Sequence, residues 1–151
     1  MHSAELTAGR RFLLVLEPGE DLLAEITAFC TREGIGSALM PVLFGAFRSV
    51  RLIGAEGAPA DPELPLPESI EVTYVEGTAQ GSVARGPEGD VRVHVHAAVG
   101  RKDQGALAYA GHVLDARVHY TTEVLVEEVL EPPFRSVPVQ ASFGIPCLRF
   151  E

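Results

Sequence analysis

Between residues 91 and 99 the chain reads VRVHVHAAV, and this unbroken alternation constrains the fold more than any other stretch. A strand turns successive side chains to opposite faces. Val91, Val93, Val95, Ala97 and Val99 therefore share one face, and Arg92, His94, His96 and Ala98 share the other. The valine face needs a core to cover it. The other face carries two imidazoles, and a third follows a glycine in Ala110-Gly111-His112. Side chains two apart on a strand stand roughly 7 Å from each other. Imidazoles are long enough to lean together across that gap and share a zinc ion at about 2.0–2.1 Å. His112 is the candidate third ligand, since Gly111 lets the backbone approach its neighbour without a side chain between. Three nitrogens and one open position describe a catalytic or ligand-accepting zinc site rather than a closed structural one.

The amount of apolar sequence bounds the rest. With 151 residues, 46% of them hydrophobic, the chain is expected to form a single domain over residues 1–151 with a sizeable core. No apolar run has the length of a membrane span. The opening MHSAELTAGRRF has no apolar segment of the kind a signal peptide carries, so a cytoplasmic location is the default expectation. The formal charge is −9, from 12 Lys+Arg against 21 Asp+Glu. The cations are scattered, Arg48 and Arg51 among them, whereas duplex binding draws on a basic stripe. Direct DNA binding is therefore disfavoured. Cys30 and Cys147 lack CxxC spacing and are expected to be two buried thiols.

Along the chain, RFLLVL at residues 11–16 reads as the first strand. A helix is expected over about residues 21–33, where Leu22, Leu23, Ile26, Phe29 and Cys30 repeat at helical spacing. Glu20 and Asp21 suit its positive end, and Gly34 followed by Ile35 suits a left-handed C-terminal cap. Residues 37–47 and 50–53 read as strand pieces interrupted at Gly45. Residues 54–68, GAEGAPADPELPLPE, carry four prolines without periodicity and read as an irregular surface loop. Residues 70–75 and 77–84 read as strands, and GPEGD at 86–90 as the turn of a hairpin into the histidine strand. A polar loop follows at 101–108, then at least one long strand within 113–129. The proline-bearing tail, residues 132–151, ends in an apolar run expected to add a strand or pack on a neighbour. One early helix and many later strands define an α+β fold with a mostly antiparallel sheet and room for short additional helices.

An isolated His-x-His on a half-exposed face is often plain solvent-facing sequence, so the third histidine decides the reading. Glu123 is a candidate partner to orient an imidazole, or equally a solvated carboxylate. Arg92 shares the imidazole face and is a candidate contact for an anionic ligand, or a cross-strand ion-pair partner. His119 reads as a solvated histidine and His2 lies in the N-terminal segment. The chain shows no GxGxxG, phosphate-binding loop, nucleophile elbow or HExxH pattern.

Several separate motifs, in order, resemble the PPC ("plants and prokaryotes conserved") domain of bacterial, archaeal and plant proteins. They are Gly9-Arg10-Arg11-Phe12 with Leu16-Glu17-Pro18-Gly19-Glu20-Asp21-Leu22-Leu23, then Phe29 through Ile35. Val93-His94-Val95-His96-Ala97, Gly111-His112-Val113-Leu114 and Thr121-Thr122-Glu123-Val124 complete the set. The resemblance covers about residues 9–129 and leaves 130–151 as a C-terminal extension. It implies an α+β domain associating as a homotrimer, with His94, His96 and His112 forming a metal site. Plant members add AT-hooks that grip the minor groove, and bacterial members are called DNA-binding by analogy. Here Ala110-Gly111 stands where the family more often has two glycines, the stretch 41–67 matches poorly, and Arg85-Gly86-Pro87 lacks the second arginine of a hook.

The expectation is thus a cytoplasmic homotrimer holding a divalent metal, first zinc, at His94, His96 and His112, open to water or a small ligand. The rival reading is a non-catalytic module for association or partner recruitment. The sequence names no reaction.

Overall fold

Asp21 starts the helix by accepting a hydrogen bond from the Ala24 backbone N–H at 2.9 Å, which satisfies one of the free donors of the first turn. In the computed structural model, which describes residues 1–151, helix α1 spans Leu22–Glu33. Gly34 ends it at φ 71, and the Ile35 N–H reaches back to the Cys30 carbonyl at 2.8 Å. Leu22, Ile26 and Cys30, four apart, are fully buried; Leu23 and Phe29 are half-buried. The apolar face is narrower than its five-residue pattern predicts. Covering a side chain such as Ile26 contributes on the order of 1.5–3 kcal/mol.

The strands are β1 (Thr7–Leu16), β2 (Ala38–Ile53), β3 (Ser69–Arg85), β4 (Val91–Arg101), β5 (Ala108–Glu131), β6 (Phe134–Pro138) and β7 (Pro146–Phe150). They form one seven-stranded sheet, antiparallel except for a single β3–β6 pairing at Arg85 and Arg135. The order is β1-β5-β2-β3-β6-β7, and β4 pairs with both β3 and the start of β5. Pairing therefore runs in a closed circuit through β5, β2, β3 and β4, and α1 packs against β4 and β5. A core cluster of 23 buried residues fills the interior, with Val95, Ala97 and Val99 among them as the alternation requires.

Two strand breaks expected from the sequence are absent. Gly45 does not interrupt β2. It sits inside a continuous strand, where a Cβ would stand within about 2.7 Å of Thr121 and Thr122 of β5. The pieces at 70–75 and 77–84 are likewise one strand, β3, running through Tyr74 at φ 55. Additional helix amounts to one 3₁₀ turn at Gln140–Ser142. The 86–90 hairpin turn forms as expected, with Gly86 N–H donating to the Asp90 carbonyl at 2.8 Å.

The tail is a hairpin, β6 against β7. Its first strand is anchored where Phe134, 2% exposed, packs with Ala84 and Val129 and donates its N–H to Ser37 Oγ at 2.7 Å. Cys30 is buried, which pushes its thiol up to about 11, while Cys147 is only half-buried beside Ser142 and Ile145. The expectation of two buried thiols thus holds for Cys30 alone, because Cys147 lies on β7, the edge strand of the sheet. No helix is long and apolar enough to cross a membrane.

Candidate metal centre

The register of β4 against its two neighbours assembles the imidazoles. His96 lies directly opposite His112 across the β4–β5 ladder, and His94 lies opposite Ser82 across the β3–β4 ladder. Alternation sends Val95 into the core between the two histidines of β4. The ring centroids form a near-equilateral triangle with sides of 5.0 Å (His94–His96), 5.0 Å (His94–His112) and 5.3 Å (His96–His112). One ligand nitrogen from each ring lies within 4.8 Å of the others. Gly111 plays the part expected of it, since a Cβ there would meet the Ile53 carbonyl oxygen at 3.1 Å. The missing side chain lets β5 lie tightly against β2 just before His112.

This donor set suits a divalent transition metal. Nitrogens sharing one zinc at 2.0–2.1 Å stand no more than about 4.2 Å apart, so rings at the observed spacing need only small torsional adjustment. None of the three imidazoles is engaged in a hydrogen bond within the chain, so their nitrogens are uncommitted. Loss of surrounding water, and next the neighbouring His96, hold His94 below the usual imidazole value. Desolvation, then His94 and His96, do the same for His112. A neutral ring keeps the lone pair that a metal needs.

The triangle forms part of a cleft of about 650 Å³. Its other walls come from segments that carried no functional reading in the sequence. Pro65 and Leu66 of the proline-rich loop stand on one side, and Ile145, Pro146 and Leu148 of the tail on another. The signal for the tail was its apolar run at 145–150, ambiguous until the hairpin is seen to join β3 and to line the cleft beside the histidines. Arg92 also lines the cleft, and its Nε hydrogen-bonds Asp90 at 2.9 Å. The ion-pair reading of Arg92 holds, with a partner on the adjacent turn rather than across the ladder.

Glu123 does not join the site. It lies eleven positions beyond His112 on β5, roughly 35 Å of extended chain. There it sits in register with Val15 of β1 and Phe44 of β2. Within one chain, its reading as a partner to these imidazoles is corrected accordingly. His119 is also not the solvated residue expected. Its ring stacks on Tyr120 at 3.9 Å between centroids, and its Nδ1 is buried without a partner. His2 is exposed, outside any strand.

A helix-bearing, mostly antiparallel sheet with three convergent imidazoles beside a tail hairpin defines a class: small α+β domains carrying a metal-competent histidine cluster. Within that class, the chain belongs to the Plants and Prokaryotes Conserved (PCC) domain family, whose model matches residues 3–130. The match begins earlier than the motifs resembling the family and ends at nearly the same place. Solved structures agree on the fold. A plant- and prokaryote-conserved protein from Pyrococcus horikoshii shares 21% identity at a TM-score of 0.79, over 97% of each chain. A metal-containing protein from Archaeoglobus fulgidus shares 23% at 0.77, over 99% of each. A candidate DNA-binding protein from Ralstonia eutropha shares 20% at 0.74, over 92% of this chain and 90% of that one. Comparison with curated proteins finds no match.

Proposed function

We propose that this domain is a metal-binding homotrimer in which His94, His96 and His112 hold one divalent ion, zinc first, with a position open to water or a small ligand. The observation that carries the reading is the triangle of uncommitted imidazoles, 5.0–5.3 Å between centroids. The metal-containing relative from Archaeoglobus supports it. A zinc ion in such a set supplies a Lewis-acidic position that acidifies water or polarises an oxygen. The chain itself supplies donors on two adjacent strands, fixed by a ladder rather than by a loop, with His94 and His96 exposed to the solvent that would fill the open position. Zinc content of the purified chain, compared with that of His94→Ala, tests the reading.

Assembly is supported by a separate observation. The outer face of β1, β5 and β2 presents Leu13, Leu125 and Val42 in one row and Val15, Glu123 and Phe44 in the next. Leu13, Val15, Val42 and Phe44 are between 45% and 63% exposed. A contiguous apolar face of this kind is what self-association covers. The number three follows the family resemblance. This face also favours the rival reading, in which association is the whole task and the histidines are incidental.

Direct DNA binding finds less support. Eight of the twelve cations lie within 3.9 Å of a carboxylate, which spends locally the charge that phosphates would need.

A further inference from the structure

The cleft above the histidines differs from the rest of this acidic molecule in one respect. The chain has 21 carboxylate side chains, yet none is among the fourteen residues that line the cleft. The titratable groups there are three imidazoles and the Arg92 guanidinium, with Ser82 and Ser136 as neutral polar neighbours. The remaining walls are apolar, led by Ile53, Leu66, Ile145 and Leu148. A divalent ion held by neutral imidazoles would carry its full charge into that space. No carboxylate lining the cleft offsets that charge, although the exposed His94 and His96 leave it in contact with solvent. An anionic ligand would offset it.

The geometry points to a small monocarboxylate with a short alkyl chain as the ligand class of this cleft. The inference rests on the metal reading above and names what the open position takes. The carboxylate serves both cationic features, because Arg92 precedes His94 by two positions on the same strand face and both line one cleft. Asp90 steadies the guanidinium through Nε. Its planar fork suits a carboxylate better than a neutral oxygen. The alkyl chain lies against Leu66, Ile145 and Leu148, where each methylene leaves water for hydrocarbon. A volume of about 650 Å³ lies within the usual range for small-molecule sites. The proline-rich loop and the tail hairpin thereby gain a task, as the walls that read chain length.

The test is calorimetric titration of the zinc-loaded full chain with acetate, butyrate, hexanoate, 1-hexanol and hexylamine, with zinc content measured on the same samples. Affinity is expected to rise from acetate to hexanoate by roughly fourfold per methylene. Hexanoate should exceed hexanol and hexylamine by at least about tenfold, and Arg92→Gln should remove about tenfold of the hexanoate affinity. Leu148 and Ile145 are 37% and 47% exposed, so polar replacement there leaves the core intact. Leu148→Ser and Ile145→Ser should flatten the chain-length dependence while acetate binding persists. Zinc-loaded protein that binds hexanoate no better than acetate, or no better than hexanol, overturns the ligand assignment and leaves the metal centre standing. A chain that takes up no zinc overturns the metal centre first and this assignment with it.

Discussion

Gly81 on β3 packs against the backbone of His94 so closely that a methyl group on it would stand 2.3 Å from the His94 carbonyl oxygen. The same methyl would meet the Met40 side chain at 2.8 Å from the core side. Gly81 thus sets the distance between β3 and the histidine strand, one position from Ser82, which faces His94.

Gly81→Ala is accordingly expected to displace β4. Overpacking of this kind costs about 1–3 kcal/mol. For a chain of this length each kcal/mol lowers Tm by about 2–4 °C. Zinc affinity should fall with it, because His94 moves relative to His112. Gly57→Ala, with nothing within 4 Å of the added carbon, should leave both quantities unchanged. Thermal unfolding with and without zinc checks the pair.

The acid side of the stability curve should carry the signature of one ion pair. Glu128 of β5 accepts from Arg10 Nε at 2.8 Å and Nη2 at 2.9 Å, and from the Arg10 N–H at 3.1 Å. These bonds, chiefly the side-chain pair with Arg10, hold its carboxyl below the usual 4.5. A carboxyl depressed in the folded state binds protons more weakly there than in the unfolded chain. Its stabilisation is therefore complete above pH 4.5 and is lost as pH falls below that value toward the lower folded one. Glu128→Gln should lower Tm near neutrality and show a shallower decline below pH 4.5. Parallel declines in the two proteins would count against this contribution.

How much of this was legible in the chain depended on how local the cause was. The helix and its caps follow from residues within one turn of each other, and the histidine strand follows from nine consecutive residues. Gly45 reads as a break, and Gly77 as a strand start, because nothing nearby shows what they accommodate. In the fold they admit Thr122 of β5 and the Ala98 carbonyl of β4, and their strands run on. Glu123 was drawn toward the histidines by its motif, yet a 24-residue strand carries it to the outer face between Val15 and Phe44. The tail wall of the cleft depends on Phe134 reaching Ser37, a contact between residues nearly a hundred positions apart. No local pattern reports that.

The outer face should govern assembly independently of the histidines. Native mass spectrometry of the wild-type chain is expected to show three copies. Leu13→Glu with Phe44→Glu places like charges beside Glu123 on a face that the trimer would bury, and should yield monomers. Both positions are solvent-facing in the single chain, so folding should persist in circular dichroism. A wild-type monomer would refute the trimer, and an unchanged trimer in the variant would place its interface elsewhere.

The central claim is that the imidazoles of His94, His96 and His112 share one metal ion. X-ray absorption on the zinc-loaded chain tests it most directly. One zinc per chain is expected, in a shell of nitrogen and oxygen at about 2.0–2.1 Å with imidazole scattering, lost in His112→Ala. Zinc absent after loading, sulfur ligation at about 2.3 Å, or a spectrum unchanged in His112→Ala would contradict it.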